Sequence, residues 1–467
     1  MKEIDFLVAN RSAKSTSSTL HILGAGSIGL LFASSIRRKF PNKDVRLLLQ
    51  PHHQRRLIPM SHKKNKKEPI LKTEDFNVND TNKYLSCVLF SSKDSNNNHY
   101  DAISIPIRAE IIPDSTKNGT KLNPGNFTCD LKIENLLLCT KAQDSLAAVS
   151  SISNRLAKNA KVIILSNGAL AIKDQLKQQF PFLYSSNAST TSNSVPSLLL
   201  ASTTHGAYRI YDTYSIGNTN SSFLNNSLTK ENCNETSRLS STFHYQVKHA
   251  GVGDTFVQED ENISQLFHLS GLSHHSHSFD ESKICILLWK KLAANCVINP
   301  LTALYRINNG ELLSDIAVQS KILDQESLEA DNFSDLIQQI TEEVSQIALA
   351  HFNANINTRS ISVHAKKGHS KSNNDISRND NIENFEKNDE DLKQLQCNHL
   401  VTFVYDVIQK TSQNQSSMLQ DVLSCRKTEI DYLNGYICQL GEVYGIPTPH
   451  NTRLCVAIKN LVQSYSA

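Results

Sequence analysis

No C-x-x-C pair occurs among the ten cysteines of this 467-residue chain. Cys139, Cys285 and Cys296 sit inside apolar runs, where a free thiol behaves as a small hydrophobe. A disulfide framework, a structural zinc site or any other metal centre is therefore not expected, and a reducing compartment fits. No run reaches the ~18 apolar residues of a membrane span, so no membrane association is expected. Neither sign of charge dominates: 48 Lys and Arg stand against 45 Asp and Glu, for a formal net charge of +3. That balance offers no concentrated basic face for nucleic acid. The one basic run, residues 62–67 (H-K-K-N-K-K), lies in polar surroundings and reads as a solvated loop. The first eighteen residues contain Glu3 and Asp5 and no long apolar core, unlike a signal peptide or an acid-poor transit peptide. Sequons at Asn118, Asn126, Asn187 and Asn234 then carry no weight. The expectation is a soluble, cytoplasmic protein.

What is present falls into two textures. Residues 61–83, 91–98, 184–196, 213–242 and 357–391 are rich in Asn, Ser, Lys and His. Segments so short of large apolar groups cannot offset the entropy of ordering and are expected to be loops or disorder. The remainder, roughly 300 residues, suffices for two domains. Its first part alternates short apolar runs (19–23, 45–49, 135–140, 161–165) with helical stretches, beginning with 27–40. That alternation predicts an α/β fold: a Rossmann-type, doubly wound parallel sheet. Beyond about residue 280 long helical patterns take over, at 284–304, 316–351, 400–410 and 428–444. In the last, Ile430, Leu433, Ile437 and Leu440 recur at helical spacing. The expected organisation is a Rossmann domain over 1–280 with polar insertions. An all-α domain follows over 281–467, with a low-complexity insertion at 357–391.

Gly24-Ala25-Gly26-Ser27-Ile28-Gly29 follows the first strand and opens a helix. In such a turn the first Gly permits the tight bend, the second lets a pyrophosphate approach the backbone, and the third lets helix and strand pack closely. Free N–H groups at the helix start then face the phosphates. The context is that of a dinucleotide site. A site for NAD usually carries an acid after the second strand to bind the ribose 2′-hydroxyl. Here the chain reads Leu49-Gln50-Pro51-His52-His53-Gln54-Arg55-Arg56. With no acid to repel a 2′-phosphate and Arg55 or Arg56 to pair with one, NADPH is the expected cofactor.

Lys291, Asn295 and Asn299 are spaced i, i+4, i+8 in an otherwise apolar helical stretch. They span ~12 Å with a drift of about 80°, so they share one face. A polar stripe on a buried helix needs partners, and either a bound substrate or a satisfied core network would supply them. Pro300 should kink the helix where the stripe ends.

The run W-K-K-L-A-A-N-C-V-I-N-P-L-T-A-L at 289–304 closely resembles a signature of the ketopantoate reductases. S-S-M-L-Q-D at 416–421 with T-E-I-D-Y-L-N-G-Y at 428–436 resembles that family's second signature. G-I-P-T-P-H-N-T-R-L, T-T-H-G-A at 203–207 and S-N-G at 166–168 extend the resemblance over nearly all of the less polar texture. It implies NADPH-dependent reduction of 2-dehydropantoate to pantoate, in pantothenate and coenzyme A synthesis. Lys291 would be the general acid. Asn295, Asn299 and Asn309 would hold the substrate, Ser417 would bind its carboxylate end, and Asn414 would sit nearby. Asn167, Ala207, Glu429 and Lys141 would lie near the cofactor. Gln50 departs from the family, whose members commonly carry Arg there: either Arg55, the first candidate, or Arg56 takes over the 2′-phosphate, or the preference for NADPH is weakened. Asp or Glu at a helix start, as at Glu429 after Thr428, and Ser417 at another, also have a capping explanation. Two alternatives stand beside this one: reduction of another small 2-keto acid, and a non-catalytic dinucleotide-binding sensor. A sensor has no reason to keep Lys291 with Asn295, Asn299, Ser417 and Glu429. Partners are thus a small keto acid and, as a monomer or homodimer, at most a second copy of the chain.

Overall fold

Strand β1 (Leu20–Leu23) is buried at every position and pairs in parallel on both sides, with β2 (Val45–Leu49) and β5 (Ile133–Leu138). The structure is a computed structural model that describes residues 19–50, 83–92, 100–112, 132–183, 196–210, 245–314, 332–366 and 390–464. Arg55, Arg56, the basic run at 62–67 and most of the other polar stretches lie outside these, as does 316–331 of one expected helix. Two compact units emerge: residues up to Ser166 with Gln179–Ser278, and Asn167–Gln178 with Phe279 onward. A single cut near residue 280 does not describe this division, because 167–178 belongs with the second unit.

The first unit carries a ten-stranded sheet. Its remaining strands are β3 (Lys83–Ser92), β4 (Tyr100–Ile111), β6 (Leu156–Ile164), β7 (Ser197–Thr203), β8 (Gly206–Ile210), β9 (Tyr245–Gly251) and β10 (Thr255–Val257). The order is β10-β7-β6-β5-β1-β2-β4-β3-β9-β8. From β7 to β4 all pairings are parallel, giving the expected Rossmann-type core. The sheet is mixed at its flanks, where β3 runs antiparallel to β4, β8 to β9 and β10 to β7.

Helix α1 (Ser27–Lys39) lays Leu30, Leu31, Phe32, Ala33 and Ile36 against Leu20, Ile22, Val45, Leu47 and Leu49. Each such large side chain contributes roughly 1.5–3 kcal/mol on burial. Phe32 meets Phe267 of α4 (Glu261–Leu269) edge-on, at 5.0 Å between ring centroids. The alternate positions of β1 and β2 carry His21 and Arg46, both buried. Arg46 binds Glu110 at 2.7 Å and Asp44 at 2.9 Å, and Arg155 also reaches Glu110, at 2.8 Å. A buried charge demands such pairing.

The second unit is helical. It comprises α3 (Ala169–Gln179), α5 (Glu281–Tyr305), α6 (Phe333–Lys366), α7 (Cys397–Lys410), α8 (Ser417–Leu423), α9 (Asn434–Tyr444) and α10 (Pro449–Gln463). Helix α5 is capped by Asp280, whose side chain accepts from Lys283 N, and ends at Arg306 in the left-handed region at φ 56°. By length and composition α5 alone among the described helices could cross a bilayer, yet 72% of its most apolar window is buried within the protein. A central core helix accounts for that. Two expectations fail here. The polar stretch 357–391 begins as the continuation of α6, which runs to Lys366. The helix expected over 428–444 is instead a 3-10 turn (Ile430–Tyr432), a break at Leu433 and then α9. The four apolar residues that suggested it are all buried nonetheless.

Candidate active site

In the first unit the glycine turn sits where the sheet changes direction. The chain passes from β1 to β2 on one side, while β5 flanks β1 on the other. A crevice at the carboxyl ends of strands is the general ligand position at such a switch. Gly24 has φ +112°, and a Cβ there would lie 2.7 Å from the Cys139 and Thr140 backbone. At Gly29 a Cβ would fall 2.0 Å from the Gly24 carbonyl oxygen. Gly26 differs, since its Cβ would meet nothing nearer than 3.9 Å. The protein packs against the first and third glycines and leaves the second open. Ala25 is buried, while Ser27 and Ile28 are half-buried in the first turn of α1. Gly26 is the N-cap, with no side-chain cap and no acid in the first turn. That helix start keeps its donors and its positive end for an anion.

Lys141, half-buried, is the residue before α2 (Ala142–Ile152) at the end of β5. Gln50, at the end of β2, is half-buried as well. Ala207, second in β8, follows a bulge opposite β9 and packs on the same core as Ile28. Beside it, His205 anchors the turn. Gly253 N donates to His205 Nδ1 at 2.9 Å, so Nδ1 is the acceptor, and Nε2 must then donate to Leu272 O at 2.9 Å.

In the second unit α5 presents Lys291, Asn295 and Asn299 along one face, the first two half-buried and the third buried. Burial pushes the Lys291 ammonium down to about 8, against the upward pull of the Glu429 carboxylate. Glu429 is itself buried and accepts from Asn167 Nδ2 at 3.4 Å. It stands at the N-cap position of the 3-10 turn that follows, but its side chain makes no cap hydrogen bond there. Nor does Thr428 head a helix.

Beyond Pro300, Thr302 donates to Ser416 at 2.7 Å, and Ser416 accepts from Leu419 N at 3.1 Å. The cap of α8 is therefore Ser416, which frees the exposed hydroxyl of Ser417 from that duty. Asn309 is buried, its amide donating to Thr411 Oγ1 at 2.9 Å while its Oδ1 has no hydrogen-bond partner. Asn414 meets it through the main chain, Asn309 N donating to Asn414 O at 3.0 Å, and keeps its side chain exposed. Ser416 and Thr302 stand inside the quoted runs but carry no expected role there, and Thr411, which accepts from Asn309, lies outside them. Arg55 lies outside the described residues.

Chemically, the second unit offers a cation of lowered pKa, a buried carboxylate and several amides. This set can hold a carboxylate or hydroxyl and pass a proton to an oxygen. The family model described as ketopantoate reductase PanE/ApbA matches residues 20–216, and its C-terminal counterpart matches residues 286–462. The chain is similar to 2-dehydropantoate 2-reductase of Yersinia pestis, 25% identical over 356 residues, which is 74% of this chain and 82% of that protein. It is 31% identical over 224 residues to 2-dehydropantoate 2-reductase of Vibrio cholerae, covering 47% of this chain and 57% of that one. Among solved structures, a PanE/ApbA family ketopantoate reductase from Ralstonia eutropha is similar in fold, with a TM-score of 0.53 at 16% identity, covering 96% of this chain and 100% of that chain.

Proposed function

This chain belongs to the ketopantoate reductase family, and from that premise we propose that it is an NADPH-dependent 2-dehydropantoate 2-reductase serving pantothenate and coenzyme A synthesis. The observation that carries the reading is Lys291, on the polar stripe of α5, set beside the Glu429 carboxylate that Asn167 holds. The glycine turn fits a dinucleotide, because only its middle glycine faces open space and the helix behind it is uncapped. When bound, the nicotinamide supplies the hydride.

The chain's own residues supply the rest. Gly24–Gly29 would hold the pyrophosphate, with Lys141 and Ala207 beside the cofactor. Arg55 is assigned to the 2′-phosphate, since Gln50 carries no charge. A ketone being reduced gains negative charge on its oxygen. The Lys291 ammonium stabilises that charge and gives up its proton to form the alcohol. With a pKa of about 8 the amine is mostly protonated at neutral pH yet releases its proton more readily than a solvated lysine. Glu429 keeps the amine charged, and Asn167 fixes one carboxylate oxygen of Glu429. Asn295, Asn299 and Asn309 would grip the substrate's hydroxyl and keto end, and Ser417 its carboxylate, with Asn414 shaping the backbone beneath Asn309. The eight described cysteines are all free thiols, in keeping with a cytoplasmic location.

The test is loss of NADPH absorbance with 2-dehydropantoate beside other small 2-keto acids, repeated with NADH. The reading requires the highest kcat/KM with 2-dehydropantoate and NADPH. Equal or better turnover of another keto acid would reassign the substrate, and no turnover of any would leave a binding protein.

A further inference from the structure

Pro300 lies inside α5. A proline has no N–H, so the carbonyl four residues earlier, that of Cys296, loses its helical partner. That carbonyl is buried, and an unpaired buried carbonyl is costly. The missing donor comes from elsewhere: Asn434 Nδ2 donates to Cys296 O at 2.8 Å. The same amide nitrogen donates to Asn451 Oδ1 at 2.9 Å, and Asn451 Nδ2 donates to Glu343 Oε2 at 2.7 Å. Glu343 also accepts from His450 N at 2.8 Å and from Asn451 N at 3.0 Å. Asn434 and Asn451 are fully buried and Glu343 nearly so, at 0%, 0% and 6% exposure. A buried carboxylate of α6, which accepts from the first turn of α10, is thus tied through two amides to the carbonyl of α5 that Pro300 leaves unpaired.

Asn434 follows Glu429 by five residues, so one short segment meets α5 twice, at the ammonium of Lys291 and at the carbonyl of Cys296. Cys296 falls between Asn295 and Asn299 in sequence, one residue off the stripe but within the same turns of the helix. Resting on the functional reading above, we infer that Asn434 is a positioning residue: its amide takes the place of the hydrogen bond that Pro300 removes and thereby sets Lys291 and the Asn stripe against Glu429.

The experiment is a double-mutant cycle of Asn434→Ala and Pro300→Ala, since an alanine in place of the proline restores a backbone donor to Cys296 O. With Pro300 in place, Asn434→Ala should lower kcat by roughly 10- to 100-fold, the scale on which small misplacements act. NADPH affinity should stay within about twofold. In the Pro300→Ala background the same substitution should cost at least several-fold less. Hydrogen exchange over 290–299, measured without substrate, should speed up in Asn434→Ala and recover in the double variant. Equal costs in both backgrounds, with unchanged exchange, overturn the inference. Should Asn434→Ala not fold, exchange of the Asn434 side-chain amide in 15N-asparagine-labelled wild type decides. Slow exchange supports the bond and fast exchange refutes it. A wild type inactive on keto acids but with this coupled exchange pattern would sink the functional reading and leave the positioning bond standing.

Discussion

Asn167 Nδ2 and Glu429 Oε2 meet at 3.4 Å across 262 positions of sequence. The contact joins Asn167, two residues before α3, to the residue whose carboxylate acts on Lys291, and it leaves Glu429 as the charge that opposes the desolvation of the lysine. Removing that charge while keeping the shape should drop the Lys291 pKa below about 8. Glu429→Gln should therefore move the alkaline limb of the kcat/KM profile to lower pH, with the loss greater at pH 8 than at pH 6.5. A limb at unchanged pH would show that the carboxylate does not tune the amine.

Lys291→Ala removes the proton donor and the cation together. Turnover should fall by about 10²–10⁴-fold, the usual worth of a positioned acid. NADPH binding should persist, because the glycine turn belongs to the other unit. The measurement is steady-state turnover beside a fluorescence titration of NADPH. Turnover within a few-fold of wild type would take the acid role from this residue.

Ser416 and Ser417 are neighbours with separate duties. Ser416 is the buried cap of α8 and also accepts from Thr302, so Ser416→Ala should cost about 1–2 kcal/mol of stability. Ser417 is exposed and caps nothing, so Ser417→Ala should leave stability within ~0.5 kcal/mol and raise KM for the keto acid. Urea unfolding and substrate titration of the two variants check both halves. Equal effects on KM would refute the division.

The elements legible in the sequence are those whose pattern is local. β1, β2 and α1 show as an apolar run, a glycine turn and a helical stripe, and Lys291, Asn295 and Asn299 declare themselves by spacing on α5. β4 is harder to read, although Ile103, Ile105, Ile107 and Ala109 alternate along it. Pro106 argues against a central strand, yet β2 pairs only with Arg108–Ile111, beyond the proline. β3 lies between Asn- and Ser-rich stretches and shows its strand character only when paired with β4. The role of Asn434 was likewise hidden, since it depends on a carbonyl that Pro300 orphans far upstream in the chain. Proline positions inside helices mark such carbonyls in advance, four residues upstream.

The three glycines of the turn should respond differently to a methyl group. Gly26→Ala meets open space and should fold as wild type while weakening NADPH at least ~10-fold, because the methyl occupies the approach of the pyrophosphate. Gly29→Ala would clash with the Gly24 carbonyl and should destabilise the first unit by about 1–3 kcal/mol or more. Thermal unfolding and NADPH titration separate the two. Full NADPH affinity in Gly26→Ala would remove the pyrophosphate from this turn.

His21 makes the acid stability of the first unit testable. It is buried in the middle of the sheet, with neither ring nitrogen hydrogen-bonded. Burial lowers its pKa to about 4, opposed by Glu110 and assisted by Arg155 and Arg46. The unfolded chain takes up this proton near pH 6.5 and the folded chain only near 4. The full stability is therefore present above about pH 6.5 and is lost progressively as pH falls towards 4. A difference of this size is worth on the order of 3 kcal/mol between those limits. His21→Leu cannot bind the proton, so it should lose less stability than wild type between pH 7 and pH 5. Urea midpoints at the two pH values measure the difference. Parallel losses in both proteins would mean that the acid sensitivity lies in other groups, such as the Glu110 and Asp44 carboxylates that hold Arg46.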